Sequence, residues 1–402
     1  MNEGGRGGPL AGVRVLALVK VWAGPYAAKM LTLLGAEVIK IESIDALDEM
    51  RAYGGVDLEH APYFLSQNTE VLSARVNLKS AEGIAQLKAL VARSDIVLDN
   101  LRPGALEKLG LAYQDLKAIK PDIIHVSIKM YGTEGPLGQQ TGYAPSFAAI
   151  GGLNYLVGHE GRVPTGMNIR YGDTTAGAAA AFGAIAALHH RARTGEGQLV
   201  DLSAVETISS LIGDSLFAFS LSGEVPVHEG NYHPELSPHG AYPAQDQAWI
   251  SLACSSDAEW NALCGEVGAP ELVQDPRFAT HAERIANRAA LDTAIAALTA
   301  PHDAVELGER LRAAGVAAYP SASSLSLVAD EFLWARDAYR MVENGNGEVR
   351  PVVGAPWRIA PDGPEIARGA PTLGQHDDYV YRELLGLSAG EITQLKDNGA
   401  IS

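Results

Sequence analysis

Asp173 stands between Gly172 and the pair Thr174-Thr175, immediately ahead of an alanine-rich run that reaches His190. A carboxylate in that place supports two chemistries. As a helix N-cap, it would accept backbone N–H groups that the first helical turn leaves without partners. As a nucleophile, it would be kept ionised by the positive end of the helix dipole and could attack an activated acyl group. The stretch Asn168 to Gly177 is compatible with both. Other reactive residue types are sparse. Cys254 and Cys264 are the only cysteines; their spacing matches no metal motif, and both are expected as small buried apolar side chains. His189 and His190, with Arg191, end the alanine-rich run, where caps or surface residues are expected. No metal site is expected.

The elements that must position Asp173 alternate in type. Val13 to Leu18 predicts a strand, Tyr26 to Leu34 a helix with Pro25 in its first turn, and Glu37 to Ile41 a second strand. Strands follow at Val71 to Leu78, Ile96 to Asp99 and Ile123 to Ile128, with helices at Ala81 to Ala92 and Tyr113 to Ile119. This order predicts an α/β fold: a mostly parallel sheet with helices on both faces. Ligands of such sheets bind at the carboxyl ends of the strands, here the loops Lys20 to Gly24 and Asn100 to Leu109. The first of these loops offers Gly24 alone, so the three-glycine dinucleotide fingerprint is missing and a nicotinamide enzyme is not expected.

A helix from Thr174 to Ala192, rich in Ala and Gly, predicts close approach of another backbone, and Leu199 to Leu202 reads as a strand. The domain boundaries expected are 1–221 for a large domain, 222–239 for a Gly/Pro/His-rich linker, 240–325 for a small α+β domain, and 326–402 for a return to the large one. In the small domain, a strand at Ala248 to Ala253 precedes a helix capped by Ser256 or Asp257, then helices at Arg288 to Leu298 and Val305 to Ala314. The tail is expected to be poor in strands and to close with a helix at Asp377 to Leu385.

A net charge of −17 argues against nucleic acid as a partner. The opening residues have neither the basic region nor the apolar region of a signal peptide, and the apolar stretch Thr174 to Leu188 falls short of bilayer length. A cytoplasmic protein without membrane attachment is expected.

Eight motifs in one order then carry a resemblance: AGP at Ala23 to Pro25, LGAEVIKIE at Leu34 to Glu42, RPGALEKLGL at Arg102 to Leu111, GDTTAG at Gly172 to Gly177, TGEGQLVDLS at Thr194 to Ser203, GNYHP at Gly230 to Pro234, DPRF at Asp275 to Phe278 and APTLGQH at Ala370 to His376. Together they resemble the family III CoA-transferases, the group of formyl-CoA transferase and carnitine CoA-transferase. The resemblance implies a Rossmann-like large domain built from both chain ends, a small domain between them, and an interlocked homodimer. It implies Asp173 as the nucleophile, passing CoA from an acyl-CoA to a carboxylic acid through an aspartyl anhydride and an aspartyl-CoA thioester. No permanently bound cofactor is implied, with coenzyme A entering as substrate. The CoA contacts it nominates are Lys20, Val21, Ala23, Asn100, Leu101, Lys108 and Leu109, with Arg102 in the same loop.

Two positions depart from the family pattern. Asn68-Thr69-Glu70-Val71 stands where a basic stretch is frequent, and Ser43 where some members carry arginine; both put a CoA phosphate contact in doubt. Trp22 replaces a smaller polar residue of formyl-CoA transferase and would shape a pocket for a bulkier acyl group, or serve packing. The related α-methylacyl-CoA racemases carry a histidine where this chain has Tyr143, and a tyrosine of ordinary acidity is a poor base at neutral pH. Tyr143 is expected beside Trp22 in the substrate pocket, and an α-methylacyl-CoA racemase and a non-catalytic acyl-CoA binding protein are the alternatives.

Overall fold

A computed structural model describes residues 7–167 and 170–402. The chain falls into two compact units, one formed by residues up to Asn154, Gly166–Val225 and Glu331–Ser402, the other by Tyr155–Thr165 and Pro226–Asp330.

The first unit is an α/β structure around a six-stranded sheet of order β3-β2-β1-β4-β5-β6. The strands are β1 (Arg14–Leu18), β2 (Glu37–Glu42), β3 (Leu72–Arg75), β4 (Ile96–Asp99), β5 (Ile124–Lys129) and β6 (Leu199–Ser203), and every pairing is parallel. Side chains of a strand alternate between faces, and β1 divides accordingly. Val15 and Ala17 enter one apolar cluster, Leu16 and Leu18 the other. Both faces are therefore covered, as parallel sheets require.

The strand order reverses between β1 and β4. Sheets of this kind have their ligand crevice at the carboxyl ends flanking such a reversal. α1 (Ala23–Thr32) leaves the end of β1, and the long helix Tyr171–Thr194 packs against it. A Cβ on Gly177 would lie 2.5 Å from the carbonyl oxygen of Ala23. Small residues are thus what permits this approach, and the partner backbone lies within the same chain.

Several boundaries differ from those read in the sequence. α1 begins at Ala23 because the Trp22 carbonyl already accepts the Tyr26 N–H at 2.8 Å; Pro25 sits in a first turn whose N–H groups need no helical partner. β3 stops at Arg75, since Asn77 N–H turns to the carbonyl of Ala400 at 2.8 Å. The long helix runs to Thr194 and ends at Gly195 with φ 77°, so His189 and His190 lie inside it rather than at its cap, His189 being an exposed surface residue. Helices Ala204–Leu211 and Gly213–Ser222, meeting at a 63° bend, had no counterpart in the sequence reading.

The tail is not poor in strands: Tyr339–Glu343 and Val349–Val353 form an antiparallel hairpin. Its expected terminal helix is a π-helical turn at Tyr379–Leu384, and the last α-helix is Ala389–Asp397, whose cap Ser388 exchanges hydrogen bonds with Glu391. Tyr381, Ile392, Leu395 and Ile401 complete the apolar cluster under β1 to β3.

The second unit has a three-stranded antiparallel sheet, His239–Pro243, Trp249–Ala253 and Ala317–Pro320. Its core gathers Trp260, Phe278 and Leu291 with Cys254 and Cys264, and burial pushes both thiols up to about 12. Ser256 caps the helix Asp257–Glu266. Among the described residues no single helix is long and apolar enough to cross a membrane, and no cluster of three or more His, Cys, Asp or Glu is arranged to hold a metal.

Candidate active site

The loop leaving β1 carries the first group of side chains. Val21 has a left-handed backbone, φ 65°, which costs a β-branched residue strain. Its N–H is held by Asp48 Oδ1 at 2.9 Å. Asp48 in turn is ion-paired with Lys40, both side chains being essentially inaccessible, and Lys40 also donates to Asn68 Oδ1 at 3.0 Å. Although burial alone would push it up, the Lys40 charge and the Val21 and Met50 amides hold the Asp48 carboxyl below the usual carboxylate range.

Asn100, at the end of β4, ties that loop to the neighbouring one. Its Oδ1 accepts the Lys20 N–H at 2.9 Å and its Nδ2 donates to the Lys20 carbonyl at 2.8 Å. A Cβ on Gly24 would lie 2.7 Å from this amide, so a side chain there is excluded. Lys20, Val21, Ala23 and Asn100 are therefore brought to one place at the strand-order reversal. Leu101 is half-buried behind them, its N–H on Asp99 Oδ1, while Arg102 and Lys108 are exposed and Leu109 is half-buried.

Trp22 links this loop to the long helix, its Nε1 donating to Thr174 Oγ1 at 3.2 Å. Tyr63 meets the indole edge-on, centroids 6.1 Å apart, and Tyr53 extends the group. The Arg170 guanidinium lies over both rings, 4.7 Å from the centre of Trp22 and 4.1 Å from that of Tyr63. Neither Arg170 nor Tyr63 was singled out in the sequence; the signal for Arg170 was its place three residues before Asp173. Tyr143 is 65% exposed and makes no ring contact with this aromatic group. The carbonyl of the next residue, Ala144, would lie 3.0 Å from a Cβ on Gly172, so Gly172 lets the two helix starts meet.

Asp173 is not the N-cap. The Thr174 and Thr175 hydroxyls bond back to the carbonyls of Arg170 and Tyr171, both at 2.8 Å, and the helix starts at Tyr171 with Arg170 in the cap position. Asp173 is thus the third helical residue. It keeps the favourable end of the helix dipole without a cap's hydrogen bonds.

Its surroundings differ from those of the other buried acids. Glu42 receives two bonds from Arg51 at 2.8 Å and one from Ser73 at 2.6 Å; Asp99 is held by His125 and Lys129. Both are kept below the usual carboxylate range against the cost of burial. Asp173, 9% exposed, accepts no hydrogen bond among the described residues, and burial pushes it up to about 6, with the Arg170 charge pulling the other way. A structural carboxylate buried this deeply is normally satisfied. An unsatisfied one that remains mainly ionised at neutral pH is a poorly solvated nucleophile.

The two departures from the family pattern are both built into the interior. Ser43 caps a short 3₁₀ turn and meets Ser402 Oγ at 3.1 Å, and the Glu70 carboxylate accepts the Ala367 and Arg368 N–H groups. Asn68 is taken up by Lys40.

The chain matches the sequence model of CoA-transferase family III over residues 10–377. It is 34% identical over 392 residues to the succinyl-CoA–D-citramalate CoA-transferase of Chloroflexus aurantiacus, covering 96% of this chain and 97% of that protein. It is 31% identical over 383 residues to the succinate–glutarate CoA-transferase of Agrobacterium fabrum, covering 94% and 96%. A crystal structure of a CAIB/BAIF family protein from Brucella suis superposes with a TM-score of 0.88 at 32% identity, covering 94% of this chain and all of that one. The chain belongs to CoA-transferase family III and is a CoA-transferase.

Proposed function

We propose that the protein moves coenzyme A from a short-chain dicarboxylyl-CoA to a carboxylic acid, with Asp173 as the nucleophile. The observation that carries this reading is the buried Asp173 carboxylate without a hydrogen-bond partner among the described residues, in contrast to the hydrogen-bonded buried acids Glu42 and Asp99.

A carboxylate oxygen of Asp173 attacks the thioester carbonyl carbon of the donor. The C–S bond breaks, giving an acyl-aspartyl anhydride and CoA thiolate. The thiolate attacks the Asp173 carbonyl carbon of that anhydride, expelling the donor's carboxylate and leaving an aspartyl-CoA thioester. An acceptor carboxylate attacks this thioester and releases the thiolate again. The thiolate takes the acceptor's acyl carbon, and Asp173 leaves as a carboxylate. No proton or electron is consumed, so one carboxylate suffices where water is kept out. Each addition builds an oxyanion, for which first-turn N–H groups of α1 and of the long helix are the donors; neither helix start carries a side-chain cap.

CoA lies along Lys20, Val21, Ala23, Asn100, Leu101 and Leu109 in this reading, with Arg102 and Lys108 supplying positive charge for its phosphates. The dicarboxylate class is supported by the relatives, which are named for succinyl-CoA with D-citramalate and for succinate with glutarate. An interlocked homodimer is part of the same proposal. The helix Gly213–Ser222 buries none of its residues within the chain and leaves Phe217 and Leu221 66% and 76% exposed. An apolar surface of this sort needs a cover.

The test is incubation with acyl-CoA donors and carboxylic acids, with intact-mass detection of the trapped enzyme after hydroxylamine or borohydride. Exchange by the wild type, with a trapped adduct that Asp173→Ala lacks, is expected. Exchange by Asp173→Ala at the wild-type rate would overturn the role of Asp173, and absence of exchange with every pair would overturn the substrate class. Sedimentation as a monomer would remove the dimer.

A further inference from the structure

The Arg170 guanidinium is held in position and, among the described residues, has no hydrogen-bond or ion-pair partner. Trp22 and Tyr63 stack against it, and the Trp22 plane is fixed by its bond to Thr174, whose own hydroxyl donates to the Arg170 carbonyl. Stacking fixes the plane of a guanidinium while leaving its in-plane N–H donors free. Among the described residues none accepts a hydrogen bond from it, and no carboxylate pairs with it. The chain holds 48 acidic residues against 31 Lys and Arg. With acids in such excess, an arginine beside a reactive site that keeps its donors unpaired is not short of available partners.

Asp173 is its nearest acid in sequence, yet the two are not joined by a hydrogen bond or an ion pair. The Arg170 charge acts on Asp173 through space. Residues three apart at a helix start place their Cβ atoms roughly 5–6 Å from each other. A molecule bound with one end at Asp173 and the other at Arg170 must therefore be short and carry an anion at its far end.

We propose that Arg170 is the specificity residue of this transferase, taking the free carboxylate of a short dicarboxylyl group whose other carboxyl reacts at Asp173. This rests on the assignment of Asp173 as nucleophile. The planar fork offers two parallel N–H donors to a carboxylate. The aromatic walls supply an apolar flank for the intervening methylene groups. A monocarboxylyl chain of the same length would leave those donors desolvated and unpaired, and it is rejected for that reason.

The experiment compares succinyl-CoA with butyryl-CoA as donors, which differ by a carboxylate against a methyl group at the far end, with succinate and butyrate as acceptors. The readout is the ratio of kcat/KM between the two chain types. The wild type favours the dicarboxylyl partner, and Arg170→Gln lowers that ratio by about 10- to 100-fold, chiefly through KM for succinate. Arg170→Lys keeps the charge without the fork and retains an intermediate ratio, which guards against a misfolded glutamine variant. If Arg170→Gln slows both chain types equally, Arg170 acts through Trp22 or Asp173 and the specificity role is overturned. A wild type that uses butyryl-CoA as well as succinyl-CoA overturns it too, while leaving the transferase reading intact. Absence of exchange with all pairs overturns both.

Discussion

The Asp48 carboxylate accepts the backbone N–H of Val21 at 2.9 Å, and Val21 holds φ at 65°. The same carboxylate neutralises the buried Lys40 ammonium. One side chain thus combines a strained loop with a buried charge pair. Removing its charge leaves Lys40 without a counterion in the interior, a change that costs about 3–5 kcal/mol. Asp48→Asn is expected to be destabilised by that amount in denaturant titrations, and the surviving folded enzyme to show a raised KM for acyl-CoA because the Lys20 to Ala23 loop loses its anchor. A loss below about 1 kcal/mol would mean that Asn68 alone satisfies Lys40.

Gly177 faces the Ala23 carbonyl, where an added Cβ would lie 2.5 Å from the oxygen and 3.1 Å from Tyr26. Backbone cannot swing aside as a side chain can. Gly177→Ala is expected to cost about 1–3 kcal/mol by forcing the long helix away from α1, and to lower activity because Asp173 lies on the turn that shifts. Gly265 is the control. It lies in the helix Asp257–Glu266 with nothing within 4 Å of its added Cβ. Gly265→Ala is expected to stabilise by about 0.5–1 kcal/mol. Thermal unfolding of both variants checks the pair.

Much of this frame was legible in the chain because it is local. β4 was located to the residue, and the other strands of the sheet to within one to three residues at each end, since buried parallel strands read as short apolar runs. The two loops flanking the strand reversal were legible for the same reason. What stayed hidden depends on contacts between distant residues. Tyr63 reaches Trp22 and Arg170 only through the fold, and nothing in the order of Asp48, Lys40 and Asn68 announces that they meet. The cap assignment of Asp173 failed because the Thr174 N–H already closes on the Arg170 carbonyl at 2.9 Å, so the helix starts at Tyr171, a turn earlier than propensity reveals.

The proposed role of Asp173 ties activity to stability. Burial raises its carboxyl to about 6, so the folded protein binds a proton there that the unfolded chain, with an ordinary aspartate near 3.9, has already lost. Stability from this group therefore falls as pH rises from about 4 through 6, by up to about 3 kcal/mol. Asp173→Asn has no charge to bury. It is expected to unfold at a higher temperature than the wild type at pH 8, to converge with it near pH 4, and to lack exchange activity. The wild-type kcat/KM is expected to fall below about pH 6, where the proposed nucleophile is protonated. Equal unfolding temperatures at pH 8 would show that ligand-free Asp173 is solvated.

His376 works in the opposite direction on the same pH axis. Its Nδ1 accepts the Ser73 N–H at 3.1 Å while its own backbone N–H donates to the Ser73 carbonyl at 2.9 Å, so it caps the edge strand β3 on both sides. Burial, with the Arg368 charge adding to it, pushes the imidazole down to about 4. The unfolded chain binds a proton near 6.5 that the folded protein refuses, so the stability contributed is complete above about pH 6.5 and is lost as pH falls toward 4. Protonation also converts the acceptor of the Ser73 N–H into a donor, which opens that edge. His376→Gln keeps an acceptor and cannot titrate. Denaturant titrations from pH 7 to pH 4 are expected to show the wild type losing stability more steeply than the variant, by up to about 3 kcal/mol across the range. Asp173 is present in both proteins, so its contribution drops out of the difference. Parallel curves would mean that the imidazole reaches water and takes up its proton without disturbing β3.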